Sequence, residues 1–407
     1  MLVFLKGKVL QPKHRITSLL AANIFLSGAA FAAMTPYRAI VGVEALGLTN
    51  ADFGLVMALN AVGSALAAVT LGWISDKVRD RRLLLVLCAL AGAVAFGLVW
   101  AVRTPLVFIV TFCLLIPFGT SLFSQSFSFS RAYFDREQSG KVEFTMSLLR
   151  SLFTVAWIIV PPIAGFVAAK GTAFSVFAFA ALAHIGCTLM IGLLWSQPNS
   201  RVGLQPATTT AETPAHLPAI RITHSHKMGI AGVTLGLAAL QLNMVVLPLI
   251  IIRDLGGDFS QVGIVASVAA AIEFPLMIGW GYVAMRIRKE LVLATASFVF
   301  AIYFGLMVMA NGYVQVLLLQ AIAAISIAAL LGINISYLQE SIPGRVGLST
   351  SLVDVTRVFS VWLAAAVFAL NTADTYTPLM AIAAGLSLAS AILMMLAWRM
   401  QRGTGSA

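Results

Sequence analysis

The sequence predicts an all-α integral membrane fold of twelve transmembrane helices in two pseudo-symmetric six-helix bundles, and three observations carry that prediction. The first is composition: of 407 residues, 60% are hydrophobic and 10% charged, against about 25% charged in soluble domains. A chain so apolar needs lipid as its solvent. The second is where the basic residues stand, and the third is that the two halves repeat.

Twenty of the 26 basic residues fall in every second gap between the apolar runs: Lys6 to Arg15, Lys77 to Arg82, Arg131 to Lys141, Arg201 to Lys227, Arg286 to Lys289, Arg345, and Arg399 with Arg402. The intervening gaps hold only Arg38, Arg103, Lys170 and Arg253, and Arg150 and Arg357 lie inside apolar runs. This is the positive-inside asymmetry of a chain that crosses a membrane many times, with both termini in the cytoplasm. The formal charge of +11 is spread over short loops facing anionic lipid, not gathered into the basic face of a nucleic-acid binder. No nucleic-acid partner is expected.

A spanning helix needs about 20 apolar residues. The runs of that length are 16–40, after Lys13 and Arg15; 51–75, before the Lys77 cluster; 82–102, up to Arg103; 105–128; 142–168, between Lys141 and Lys170; and 173–195. The second half gives 228–252, between Lys227 and Arg253; 260–284; 290–310, after Lys289; 313–337; 347–370, after Arg345; and 376–398, before Arg399. The polar stretch Gln197 to Lys227, rich in Thr, Pro, Ala and His, divides the chain into bundles 1–196 and 228–407 around a cytoplasmic linker 197–227. The run from Ile16 lacks a small-residue cleavage site and reads as an uncleaved first helix.

The repeat is explicit. Gly72-Trp73 followed by Arg79, Arg81 and Arg82 returns 207 residues later as Gly279-Trp280 followed by Arg286, Arg288 and Lys289, and the same shift carries Arg150 onto Arg357. Matched positions after the second helix of each half argue for duplicated bundles.

The loop running from Gly72 through Asp76, Lys77, Arg81 and Arg82 resembles the signature of the major facilitator superfamily, with Arg79 where a glycine is usual. Three further stretches resemble the bacterial sugar efflux transporters of that superfamily: Arg150 to Pro162, Ile272 to Pro275, and Gln339 to Gly347. The resemblance implies export of sugars or sugar-like small molecules in exchange for protons, by a multi-pass protein of the bacterial inner membrane. It also implies that Gly72, Asp76, Lys77, Arg81 and Arg82 form a charged latch on a neighbouring helix. A topogenic role is the simpler reading of the same charges.

An ionisable group at mid-membrane costs roughly 2.5 to 3.5 kcal/mol on insertion scales and so marks a pathway or a pair. Glu273, amid Ala269 to Pro275, is the leading proton-coupling residue, with Asp354 the second; a Glu that merely ties helices together is the alternative. Asp354 and Arg357 are three apart, close enough for an intrahelical ion pair. Arg150 has no acid within one turn and is expected to face the cavity.

Sugar recognition needs forked donors and acceptors with an aromatic platform. The substrate-binding candidates are therefore Asn23, Asn60, Arg150, Trp157, Gln241, Asn243, Gln320, Arg357 and Trp362; each amide can equally tie one helix to the next. Pro161-Pro162 with Gly165 is expected to bend its helix.

His184 is read as a packed polar residue, and His224 and His226 lack a third ligand. Cys88, Cys113 and Cys187 are odd in number and embedded in apolar runs, so neither disulfide, metal nor cofactor is expected. No hydrolase or metal motif marks an enzyme, and no appended domain marks a receptor. A drug/proton antiporter of the same fold is the nearer rival. A monomer is expected.

Overall fold

The computed structural model describes residues 12–137, 142–203, 223–341 and 346–404. Lys6, Lys8, Lys141, Arg221, Arg345 and most of the linker lie outside the described residues, as does the middle of the Gln339 to Gly347 stretch. Among the described residues, twelve helices are long and apolar enough to cross a membrane. They are α1 Pro12–Met34, α2 Asn50–Ser75, α3 Arg82–Val102, α4 Pro105–Arg136, α5 Val142–Lys170 and α6 Ser175–Trp195. The second half holds α7 His224–Asp254, α8 Phe259–Ala284, α9 Lys289–Val308, α10 Tyr313–Glu340, α11 Val346–Ala369 and α12 Thr377–Thr404.

Packing repeats with the sequence. In the first half α1 packs on α5 and α6, α3 on α4 and α6, and α2 on α4; in the second, α7 packs on α11 and α12, α9 on α10 and α12, and α8 on α10. The halves meet through α5 against α8 and α2 against α11, two related interfaces. Because the number of spans is even, the start of α1 and the end of α12 lie at one end of the molecule, called the basic end below.

Two departures from the expected spans have backbone causes. α1 stops at Met34, not near residue 40, because Pro36 has no N–H to donate and restricts Thr35 before it. The chain then turns through Arg38–Ile40 and a π-turn Val41–Ala45. α7 begins at His224, ahead of the expected 228, because the Thr223 side chain caps it by accepting from the His226 N–H.

The ends of α1 and α7 away from the basic end are copies of one another. Each closes in a π-turn, Val41–Ala45 and Ile250–Asp254. A glycine at positive φ follows each, Gly47 at 70° and Gly256 at 64°, where a side chain would be strained. A capping box then starts the next helix, Thr49 with Asp52 and Asp258 with Gln261. The copies carry opposite charges at the fourth position of the turn, where Glu44 in the first accepts from the Arg253 guanidinium in the second, at 3.2 Å.

Around that pair the halves are sewn together at this end. Tyr37 donates to the Pro161 carbonyl at 2.7 Å and the Phe259 carbonyl at 3.3 Å, and its ring stacks on Phe259. Asn50 donates to the Asn371 carbonyl at 2.9 Å and accepts from the Tyr376 hydroxyl at 3.1 Å. Phe53 meets Phe368 edge-on. A Cβ on Gly54 would stand 2.8 Å from the Ala365 carbonyl, and one on Gly263 or Gly165 would collide with the Pro161 or Phe259 carbonyl. Glycine lets the backbones approach this closely.

Candidate functional site

α5 runs unbroken through Pro161 and Pro162, and the missing N–H of Pro162 leaves the Ile158 carbonyl without its helical donor. Ser267 on α8 donates its hydroxyl to that carbonyl. The double proline therefore supplies a docking point for the other half. On the related interface the Trp362 indole donates to the Ala58 carbonyl at 3.2 Å.

Further toward the basic end the interior faces of these helices carry the ionisable groups. The exposed apolar residues of α5, among them Leu148, Ile159 and Phe166, form its lipid side, and Arg150 and Trp157 project roughly opposite at 3.6 residues per turn. On α8, Ile264, Ile278 and Tyr282 are exposed, and Glu273 projects roughly opposite them. On α11 the lipid side includes Val355 and Phe359; Arg357 again points inward, with Asp354 one turn away. Arg150, Asp354 and Arg357 are exposed although they face the interior. Open space therefore separates the halves at this level, and the molecule is shut at one end and open toward the basic end.

The charges stand apart. No ion pair joins Asp354 to Arg357, a correction to the pairing that their spacing suggests. Glu273 is half-buried, with no hydrogen bond or ion pair to a described residue. Arg150 lies over the ring of Phe127, 5.8 Å from its centroid.

Phe127 opens a chain of rings that sequence reasoning missed. It lies 4.7 Å from Phe123, Phe123 4.2 Å from Phe153, Phe153 6.4 Å from Phe31, and Phe31 6.2 Å from Trp157. All five are half-buried, so α1, α4 and α5 present a continuous aromatic wall between Arg150 and Trp157. The only sequence signal was one ring every three or four residues along α4 and α5, which core packing also produces.

Four of the five candidate ligand amides bond to helix partners in this state. Asn23, 1% exposed, donates to Ser126 at 2.8 Å and ties α1 to α4. Asn60 donates to the Phe112 carbonyl at 2.6 Å; that carbonyl sits in the π-turn Thr111–Leu115, where Pro117 has no N–H to offer it. Asn243 is buried and accepts from Tyr303 at 3.1 Å, and buried Gln320 donates to the Val316 carbonyl one turn away at 2.9 Å. Each of these amides has at least one helix partner, since an amide left wholly unpaired is costly in a dry bundle. Gln241 stays half-buried with no hydrogen bond to a described residue.

The loop after α2 is organised around Arg82. Its guanidinium bridges both Asp80 carboxylate oxygens, at 3.0 and 2.6 Å, donates to Ser200 at 2.9 Å and the Trp195 carbonyl at 3.3 Å, and lies over the Trp195 ring. Burial would raise the Asp80 carboxyl, but the Arg82 hydrogen bonds and the charges of Arg82 and Arg201 hold it below the usual carboxylate range. Arg136 donates to the Asn199 and Arg201 carbonyls, and the Arg81 N–H to the Val202 carbonyl. The start of the linker is thus clasped to α3, α4 and α6. Asp76, 79% exposed, has only Arg81 nearby at 3.8 Å; Lys77 lies over Trp73, and a Cβ on Gly72 would touch nothing. Among the described residues, no hydrogen bond or ion pair joins a latch residue to the second half in this state.

His184 is buried and packs as expected, Nδ1 against the Ala180 carbonyl at 3.1 Å. Among the described residues no cluster of His, Cys, Asp or Glu is suited to a metal.

The Major Facilitator Superfamily profile matches residues 19–356. The chain belongs to that superfamily. It is therefore a membrane transporter. The chain is 28% identical to a "Putative sugar efflux transporter" of Deinococcus radiodurans, over 93% of this chain and 97% of the relative. It is 30% identical to "Sugar efflux transporter C" of Escherichia coli (strain K12), over 81% of this chain and 82% of that one. Among solved structures, the nucleoside transporter NupG superposes with a TM-score of 0.76 at 14% identity, covering 94% of this chain and 99% of that chain. A peptide transporter POT in complex with sulfate gives 0.77 at 13%, covering 98% and 96%. At that identity the structures speak for the fold.

Proposed function

We propose that this superfamily member exports sugars or sugar-like small molecules from the cytoplasm across the bacterial inner membrane, in exchange for protons. Its two bundles rock about the α5/α8 and α2/α11 interfaces, so that each end opens in turn. The observation that carries the reading is the interior constellation of Arg150, Trp157, Glu273, Asp354 and Arg357, opening toward the basic end, in a chain whose relatives are named sugar efflux transporters.

The basic end faces the cytoplasm, so the state described here takes substrate from inside. Arg150 and Arg357 donate to hydroxyls, Gln241 adds a free amide, and Trp157 with the Phe wall covers an apolar sugar face. Glu273 binds and releases the proton, with Asp354 as the second carboxylate.

Proton-driven uptake of a saccharide panel into inverted membrane vesicles tests this. Saturable uptake of at least one sugar, abolished by a protonophore, is expected. If no saccharide is transported while lipophilic cations are, the drug antiporter reading replaces it; the aromatic wall of Phe31, Phe123, Phe127 and Phe153 is the feature that favours that alternative. Cysteine labelling of the linker checks sidedness: a linker reached from outside intact cells would invert the topology.

A further inference from the structure

We propose that Arg150 and Glu273 form an ion pair between the halves when the basic end closes, so that they are the inner counterpart of the Glu44–Arg253 pair at the opposite end. The assignment rests on the alternating-access reading above.

The register of α5 on α8 is fixed at three levels. A Gly165 Cβ would meet the Phe259 carbonyl, a Gly263 Cβ the Pro161 carbonyl, and Ser267 donates to the Ile158 carbonyl. The helices run antiparallel, each advance of four along α8 matching a retreat of three to four along α5. Continuing past Ser267 toward the basic end brings Glu273 level with Leu152 and Phe153, less than one helical turn from Arg150. Both side chains point to the interior, as the exposed apolar residues on the opposite sides of their helices show.

Neither has an ionic partner in the open state: Arg150 has the Phe127 ring, and Glu273 no hydrogen bond or ion pair to a described residue. Closing the basic end removes the water that solvates both charges in the open cleft. A carboxylate and a guanidinium left at one depth in a drying gap favour pairing over separate burial. Protonation of Glu273, or a ligand held by Arg150, would take one member out of that pair.

The related interface has no such option. There Asn50 bonds to the Asn371 carbonyl and Trp362 to the Ala58 carbonyl, a register that sets Arg357 beside Gly63 and Ser64, and α2 has no charged residue between Asp52 and Asp76. The duplication supplied two arginines, and only one faces an acid across the seam.

The test reads closure directly, without transport. Ser147→Cys, on the α5 face toward α8, is labelled with a membrane-impermeant maleimide in inverted vesicles, with Cys88, Cys113 and Cys187 replaced by Ser. Opening the opposite end with Arg253→Glu is expected to slow labelling at position 147 about tenfold, since the two ends open in turn. In that background Arg150→Glu or Glu273→Arg alone should restore labelling by about tenfold, and the swapped pair together should return it to within about threefold of the unswapped protein. The neutral variants Arg150→Gln and Glu273→Gln, gentler on folding, should each raise labelling and should not add when combined.

A swapped pair that labels as fast as either single reversal, or neutral variants that add fully, overturns the ion pair while leaving alternating access standing. A labelling rate at position 147 that ignores Arg253→Glu overturns alternating access, and the pair with it.

Discussion

The two seams between the halves, α5 against α8 and α2 against α11, descend from one arrangement and differ in chemistry. Both bring a glycine against a carbonyl, Gly263 on Pro161 and Gly54 on Ala365, and both add side-chain donors to carbonyls of the other half. Below that level they diverge. α8 carries Glu273 opposite the Arg150 region, whereas α2 has no charged residue along its buried length. Duplication sets where helices touch, because backbone approach depends on small residues at fixed spacing. What the seam does depends on which few positions carry charge.

The sharpest way to break the comparison is Glu273→Gln, which keeps the shape and cannot titrate. It should abolish uphill export driven by a pH gradient, a loss of at least about a hundredfold, while sparing counterflow. If the variant still concentrates sugar, Asp354 inherits the coupling role, and Glu273 reduces to a structural residue.

Next in size is the pair of arginines. Arg150→Gln should lower efflux about tenfold and Arg357→Gln about threefold at matched expression, because only the first has an acid across its seam. Equal losses would mean that the two seams work alike.

The glycines probe what the seams share. Gly263→Leu drives a side chain into the Pro161 carbonyl and the Tyr37 hydroxyl, and overpacking of this kind costs about 1 to 3 kcal/mol of the closed outer seam. Gly54→Leu should act in the same direction. Each should raise labelling of a cysteine placed at Asn50 from outside the cell, and a response to only one of them would show that the seams do not open together.

The smallest effect lies away from both seams. Asp80 sits below the usual carboxylate range when folded, so its contribution to stability is complete above the unfolded value and disappears as pH falls through the lower folded one. Asp80→Asn should lower the thermal midpoint at pH 7 by no more than about 2 °C, and the difference from wild type should shrink below about pH 4. A midpoint difference constant from pH 7 to pH 3 would rule out the Arg82 pair as its source.

Much of the fold was legible residue by residue. Helix ends followed the charge clusters, and the shifts at the end of α1 and the start of α7 came from Pro36 and from the Thr223 cap, both visible in the sequence but outweighed there by the length of the apolar runs; α4 runs on to Arg136, past the expected 128. The site was less legible. Asn60 and Arg150 looked alike as polar residues in apolar helices, yet Asn60 answers a carbonyl stranded by Pro117, fifty-odd residues along the chain, and Arg150 answers none. Asp80 went unnoticed beside Asp76 because the partners that make it important, Arg82 and the linker turn at Ser200, meet only after α6 returns to the basic end.

The sequence by itself determined that the chain crosses the membrane twelve times, that it is built from two related halves, and that its basic loops share one side. These follow from transfer of contiguous segments into lipid and from charge counted loop by loop, sums that need no knowledge of neighbours. Tertiary structure decided which end is shut, which amides are consumed, and which charges remain without partners. Those outcomes depend on a donor and an acceptor meeting across hundreds of residues, as Glu44 meets Arg253, and no local property of either residue specifies the partner.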